Sequence, residues 1–291
     1  MLSQPPSRGS VAVVPLANPL SSDMNVLRPS LLPGLLDSLK HNVSRKNADV
    51  ALFEIGRVFL SGGSNPPGKG ARESNGVVEE RRVAIAITGR RSPVFWSGAE
   101  ADGSFDVSDL KGMLEEFLEQ FGLRGVTYAG NSNSSALYSE SAAIALGGKL
   151  ALGQMGRVSP VLARRYDLRD PVFVAELNLD QLLARRNAGR SFKALPQYPS
   201  IRRDIAMLVP ETVTHDAVLN AARQAKPANL EAVELFDVFR GKNIPEGRKS
   251  VAYAFTYRSG EKTLTDAEVN AAHDRLVEHF KKVLDAAVRD S

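Results

Sequence analysis

Apolar residues along this 291-residue chain recur in two rhythms, one helical and one alternating. Leu31, Leu32, Leu35, Leu36 and Leu39 return every three or four positions and predict a helix over about 28–43, with Pro33 tolerable only in its first turn. ALFEIGRVF (51–59) and VAIAIT (83–88) read as strands. The glycine-, proline- and serine-rich stretch between them, 61–76, reads as a surface loop because regular patterns stand on both sides. Over 106–121, Val107, Leu110, Met113, Leu114, Phe117, Leu118 and Phe121 form one stripe and Glu115, Glu116 and Glu119 another, which predicts an amphipathic helix. Short strands follow at 126–129, 141–146, 149–158 and 172–178, then a helical turn at 179–186. Residues 1–190 are thus expected to form an antiparallel sheet flanked by helices.

A new unit starts near Phe192, so that 193–291 is a second domain and the whole is α+β. Its order is strand (202–209), helix (214–226), strand (232–240), strand (249–258), helix (266–282) and a short strand near 284–289. Thr265 and Glu268 make a capping box for the last helix, whose buried stripe is expected to be Val269, Ala272, Leu276, Phe280 and Val283. Two βαβ halves folded together give a ferredoxin-like βαββαβ sandwich, with helices on one face of the sheet and the other face open.

Period-two alternation sorts the strands of that sheet. Ile205, Met207 and Val209 form the apolar set of the first, so Arg202, Asp204, Ala206 and Leu208 face away. In the third, Val251, Tyr253, Phe255 and Tyr257 are the bulky set and Ser250, Ala252, Ala254 and Thr256 oppose them. Covered faces take bulky residues, which makes the aromatics core rather than a base-stacking surface and leaves a flat floor of small side chains opposite. At the end of the second strand Asp237 and Phe239 share one face, with Phe236 and Val238 expected on the other. A carboxylate accepts hydrogen bonds from a base edge, of which guanine offers two, and an exposed aromatic adds stacking of about 1–3 kcal/mol per base. Arg240, Lys242, Arg248 and Lys249 in the adjoining loop could neutralise phosphates.

Charge alone does not single out this surface. The chain carries +4 overall, and residues 193–291 hold 15 Lys/Arg against 14 Asp/Glu. Only 240–249 is locally basic, with four cations and one carboxylate. Zero cysteines exclude disulfides, thiolate zinc sites and a cysteine nucleophile. There is neither an apolar run of 18 residues nor a signal core in MLSQPPSRGS, which suits a cytoplasmic protein. The four histidines, His41, His215, His273 and His279, fit neither a zinc-protease motif nor a triad. Glycines and a lysine in GGSNPPGKG lack the spacing of a phosphate-binding loop. Trp96 reads as a loop anchor.

The runs LPQYPSIRRDIAMLV, ELFDVFRGKNIPEGRKSVAY and TLTDAEV resemble the anticodon-binding ferredoxin-like domain that ends phenylalanyl-tRNA synthetase beta chains. NPLSSDMNVLRPSLLPGLLDSLKHNVSRK, LFEIGRVF, FDVSDLKGMLEEFLEQFG and LGQMGRVSPVLARRYDL resemble, in the same order, the class II synthetase-like domain of that family. The likeness covers about 15–291 and lacks the family's upstream modules, so the chain is expected to be part of a longer protein. It implies that the first anticodon base, a guanine, meets Ala206, Asp237, Phe239 and Ser250, all on the face that alternation leaves open. Phe239 stands where the family often has tyrosine, which keeps stacking and forgoes a phenolic hydrogen bond.

The resemblance further implies a catalytically silent domain at 1–190 that pairs with an alpha subunit, in a heterotetramer of two alpha and two beta chains. FEIGRVF lacks the arginine motif that holds the ATP α-phosphate, and VFVAELNLDQLLARR has no motif arginine for the γ-phosphate. Arg57 and Arg157 are expected to bond within the sheet or to the partner. ATP and magnesium are therefore expected at the alpha subunit, with no cofactor on this chain. Two rival readings are a single-chain synthetase of organellar type, which those arginines disfavour, and a ligand-sensing ferredoxin-like module. The loop VPETVTH lacks the glycine such a sensor needs.

Overall fold

A computed structural model describes residues 13–21, 25–61, 72–74, 76–92, 103–131, 135–187, 195–241 and 243–288. The chain divides into two compact units, Met1–Ser191 and Phe192–Ser291. Trp96 and Lys242 lie outside the described residues. No helix among those described is long and apolar enough to cross a membrane.

The first unit runs β1 (Val14–Pro15), β2 (Val26–Leu27), α1 (Leu32–Ser44), β3 (Val50–Ser61), β4 (Arg72–Ser74), β5 (Val77–Thr88), α2 (Val107–Gln120), β6 (Val126–Asn131), β7 (Tyr138–Leu146), β8 (Leu150–Val158), α3 (Pro160–Arg165), β9 (Val172–Asn178) and α4 (Leu179–Ala184). β1 and β2 form a small ribbon. The main sheet has the order β3-β5-β9-β8-β7-β6, antiparallel throughout, with β4 pairing β5. Alternation divides its side chains between two cores. Ala84, Ala86, Val172 and Val174 pack under the leucines of α1, while Val83, Ile87, Phe173 and Leu177 pack against Leu110, Leu114 and Leu118 of α2. This is the expected antiparallel sheet flanked by helices.

In the first unit the β1–β2 ribbon, β4 and α3 depart from the reading of the sequence. Part of the stretch read as loop, Arg72–Ser74, is a strand that extends β5 pairing. The short α3, not foreseen, starts where the Ser159 hydroxyl accepts from Leu162 N–H and a proline occupies the first turn. Six residues are too few to show a hydrophobic period.

The second unit comprises β10 (Ile201–Pro210), α5 (His215–Ala225), β11 (Leu230–Phe239), β12 (Arg248–Tyr257), α6 (Asp266–Leu284) and β13 (Ala287–Val288). Its sheet order is β11-β12-β10-β13. Tyr253, Phe255 and Tyr257 are fully buried with Ile205, Met207 and Val209 beneath both helices, so the aromatics are core. The capping box of α6 forms as expected from Thr265 and Glu268. Its stripe ends differently: Leu284 is buried and Val283 is 52% exposed, because four residues, not three, return the helix to the line of Phe280.

A candidate RNA-binding face

Both helices of the second unit pack on one side of its sheet, and among its described residues no helix covers the other. Strand register orders that open side in rows. One row is Ala206–Ala252–Asp237, the next Leu208–Ser250–Phe239, and on the other side lie Asp204–Ala254–Glu234 and Arg202–Thr256–Ala232. Ala206, Asp237, Phe239 and Ser250 thus fall in two adjacent rows on one face. Cross-strand neighbours sit about 5 Å apart and rows about 7 Å apart, close to the dimensions of one nucleobase.

Asp237 and Phe239 reach this face because of a β-bulge. Leu235 pairs with Tyr253 on the helix side, yet Asp237 pairs with the very next residue of β12, Ala252. Phe236 is therefore the extra residue. Without it, Asp237 and Phe239 would continue the line of Val233 and Leu235 toward the helices. Phe236 itself does not point away from Asp237, as plain alternation suggests. Its ring centre lies 5.6 Å from the guanidinium carbon of Arg202, a residue of the open face, and it is 54% exposed. The extra residue lets two consecutive side chains project on the same side.

The floor is flat and partly polar. Asp237 is exposed and no described residue donates a hydrogen bond to it. The Phe239 ring folds over Gly241, where an added Cβ would come within 2.5 Å of the ring, so the missing side chain makes room for the aromatic. Such a surface presents an unspent carboxylate beside an exposed ring, over alanines and a serine. It suits a planar group with hydrogen-bond donors along its edge.

The basic loop is arranged otherwise. Arg240 is bound to Glu211 through Nη2 at 2.6 Å, and Lys249 donates to the Glu211 carbonyl at 2.9 Å. Hydrogen bonding to Arg240 holds the Glu211 carboxyl below its usual range and raises the Arg240 guanidinium. Lys249 pairs in register with Val209, which belongs to the helix side, so it projects away from Asp237. Arg248 is engaged by Asp285 and by the Asp285 carbonyl at 3.1 Å. Their charges are spent within the unit. The cation that does stand on the open face is Arg202, which sequence reasoning put there and left without a role.

In the first unit, Arg57 forms an ion pair with Glu79, and Arg157 sits in β8 opposite Glu140. Arg82 is flanked by Glu176 at 2.8 Å and Glu80 at 3.1 Å, and Arg28 by Glu54 at 2.7 Å. Among the described residues no group of three His, Cys, Asp or Glu side chains is placed to hold a metal.

The family model described as the phenylalanyl tRNA synthetase beta chain CLM domain matches residues 4–179, and that of the ferredoxin-fold anticodon binding domain matches 196–289. A phenylalanine–tRNA ligase beta subunit of Syntrophotalea carbinolica is 34% identical over 278 residues, covering 95% of this chain and 33% of the relative. That of Moorella thermoacetica is 36% identical over 278 residues, with the same 95% and 33%. That of Bacillus subtilis is 35% identical over 275 residues, covering 94% and 33%. The chain spans about a third of the length of the curated relatives it matches.

Proposed function

Because the chain belongs to the phenylalanyl-tRNA synthetase beta-chain family, we propose that it acts as the C-terminal part of such a beta subunit. Its second unit holds the anticodon loop of phenylalanine tRNA. Its first pairs with the alpha subunit, in an assembly of two alpha and two beta chains that works in the cytoplasm. ATP and magnesium are used on the alpha subunit, where phenylalanine is activated and transferred. This chain contributes position rather than chemistry. In keeping with that division, Arg28, Arg57 and Arg82 are each matched by a carboxylate of their own unit.

One observation carries the RNA reading: Asp237 and Phe239 stand side by side on the helix-free face, over Ala206, Ala252 and Ser250. A guanine laid on Phe239 would turn its N1–H and N2–H groups toward the Asp237 carboxylate, a two-point contact that uracil and cytosine cannot copy. A hydrogen bond to the carboxylate is worth about 1.5–3 kcal/mol and the stack about 1–3 kcal/mol.

Binding of the chain to an anticodon stem-loop hairpin, measured by fluorescence anisotropy, tests this. Asp237→Ala is expected to weaken binding by about tenfold or more and to erase the preference for guanine over adenine at the first anticodon position. Unchanged affinity and unchanged preference would refute the assignment.

A further inference from the structure

The bulge that turns Asp237 toward the open face also leaves Phe236 there, and the reading of the face as an RNA site gives this second aromatic no task. Arg202 crosses the Asp204–Ala254–Glu234 row to reach it. Asp204 fixes the guanidinium by accepting from its Nε at 2.8 Å. Both Nη groups are without a hydrogen-bond partner among the described residues, and the side chain is 54% exposed. In the four rows of this face Arg202 is the one cation beside three carboxylates, Asp204, Glu234 and Asp237. Of the side chains in those rows it is the one that can attract a phosphate.

We propose that Arg202 and Phe236 form a second nucleotide position next to the one lined by Asp237 and Phe239. Phe236 stacks a base, and the Arg202 Nη groups neutralise the phosphate that joins the two nucleotides. This rests on the anticodon-loop reading above and adds to it a two-nucleotide register along the sheet. It also moves the electrostatic contact from Arg240, Arg248 and Lys249, whose partners are internal, to a strand residue whose Nη groups are unspent. An aromatic ring stacks any base, so this second position adds affinity with little sequence preference. The carboxylate position supplies the selectivity.

The test uses the full 291-residue chain and the same anticodon hairpin, titrated between low and moderate salt. Arg202→Gln is expected to lower the slope of log affinity against log salt by about 0.7, the value of one phosphate contact to a single strand. Phe236→Leu, which keeps apolar bulk and removes the π face, is expected to weaken binding about tenfold. That loss should vanish with a hairpin whose loop is abasic at the nucleotide adjoining the guanine. Arg240→Gln should leave the slope unchanged. If Asp237→Ala weakens binding while Arg202→Gln and Phe236→Leu leave slope and affinity as they were, the second position is wrong and the anticodon reading stands. If the unaltered chain binds the hairpin no better than one with a scrambled loop, both fall.

Discussion

Two tyrosines tie the sheet of the second unit to its helices through histidines. The Tyr253 hydroxyl lies 3.0 Å from His215 Nδ1, and the Tyr257 hydroxyl 3.1 Å from His273 Nδ1. Burial pushes both phenols up to about 12, so they stay protonated and can donate to a neutral imidazole. Burial, helped by Arg203 and opposed by Asp274, holds His273 below its ordinary 6.5. The unfolded chain therefore takes up this proton first as pH falls. The contribution of neutral His273 is fully present above about 6.5 and is lost as pH drops through the lower folded value. Denaturation midpoints measured from pH 7.5 to pH 5 should fall more steeply for the natural chain than for His273→Gln. Parallel curves would show that His273 does not control acid stability.

Elements here are held by partners distant in sequence as well as by their own periodicity. The leucines of α1 announce the helix, but its first turn carries no acidic residue, its N-cap Leu31 offers no side-chain acceptor, and only the Ser30 hydroxyl accepts locally, from Leu32 N–H at 3.1 Å. Glu176 of β9 takes the place of the missing acid. Its Oε1 accepts from the Leu31 N–H at 2.6 Å and the Ser30 hydroxyl at 3.0 Å, and its Oε2 accepts from Arg82 at 2.8 Å. A carboxylate at a helix N-terminus is stabilised by the helix dipole, and this one is largely buried. Glu176→Ala would leave a half-buried guanidinium short of one partner and an amide without an acceptor, at a cost of about 3 kcal/mol. Glu176→Gln, which still accepts, should recover part of that in urea denaturation. A loss below about 1 kcal/mol for the alanine variant would mean that leucine burial alone holds α1. No periodicity in the sequence could have paired residues 145 apart.

Each unit has cores of its own. That of the second joins both helices to three strands through Val218, Leu276, Phe280 and the three aromatics of β12. An isolated 195–291 chain is accordingly expected to fold, with a cooperative urea transition and a near-ultraviolet circular dichroism signal from its buried tyrosines. A broad transition without that signal would show that the unit depends on the rest of the protein. In such a chain Leu276→Ala should cost about 2–5 kcal/mol, since the side chain is fully buried.

Much of this organisation was written in short-range pattern. Hydrophobic rhythm announced α1, α2, α5 and α6 and, β4 apart, the strands between them, because a face that must be buried constrains every third, fourth or second residue. It also showed that Val251, Tyr253, Phe255 and Tyr257 are core, since bulky side chains go where helices cover a sheet. Tertiary structure alone decided the faces at the end of β11. Unbroken alternation counted from Leu235 would put Asp237 under the helices, so the open placement expected for Asp237 and Phe239 holds only because one unpaired residue, Phe236, shifts the phase and brings itself along. Likewise the string Arg240, Arg248 and Lys249 reads as free charge until Glu211 and Asp285 are seen to absorb it. A bulge and an ion pair both depend on which strand or loop lies alongside, and that neighbour is fixed only when the chain has closed on itself.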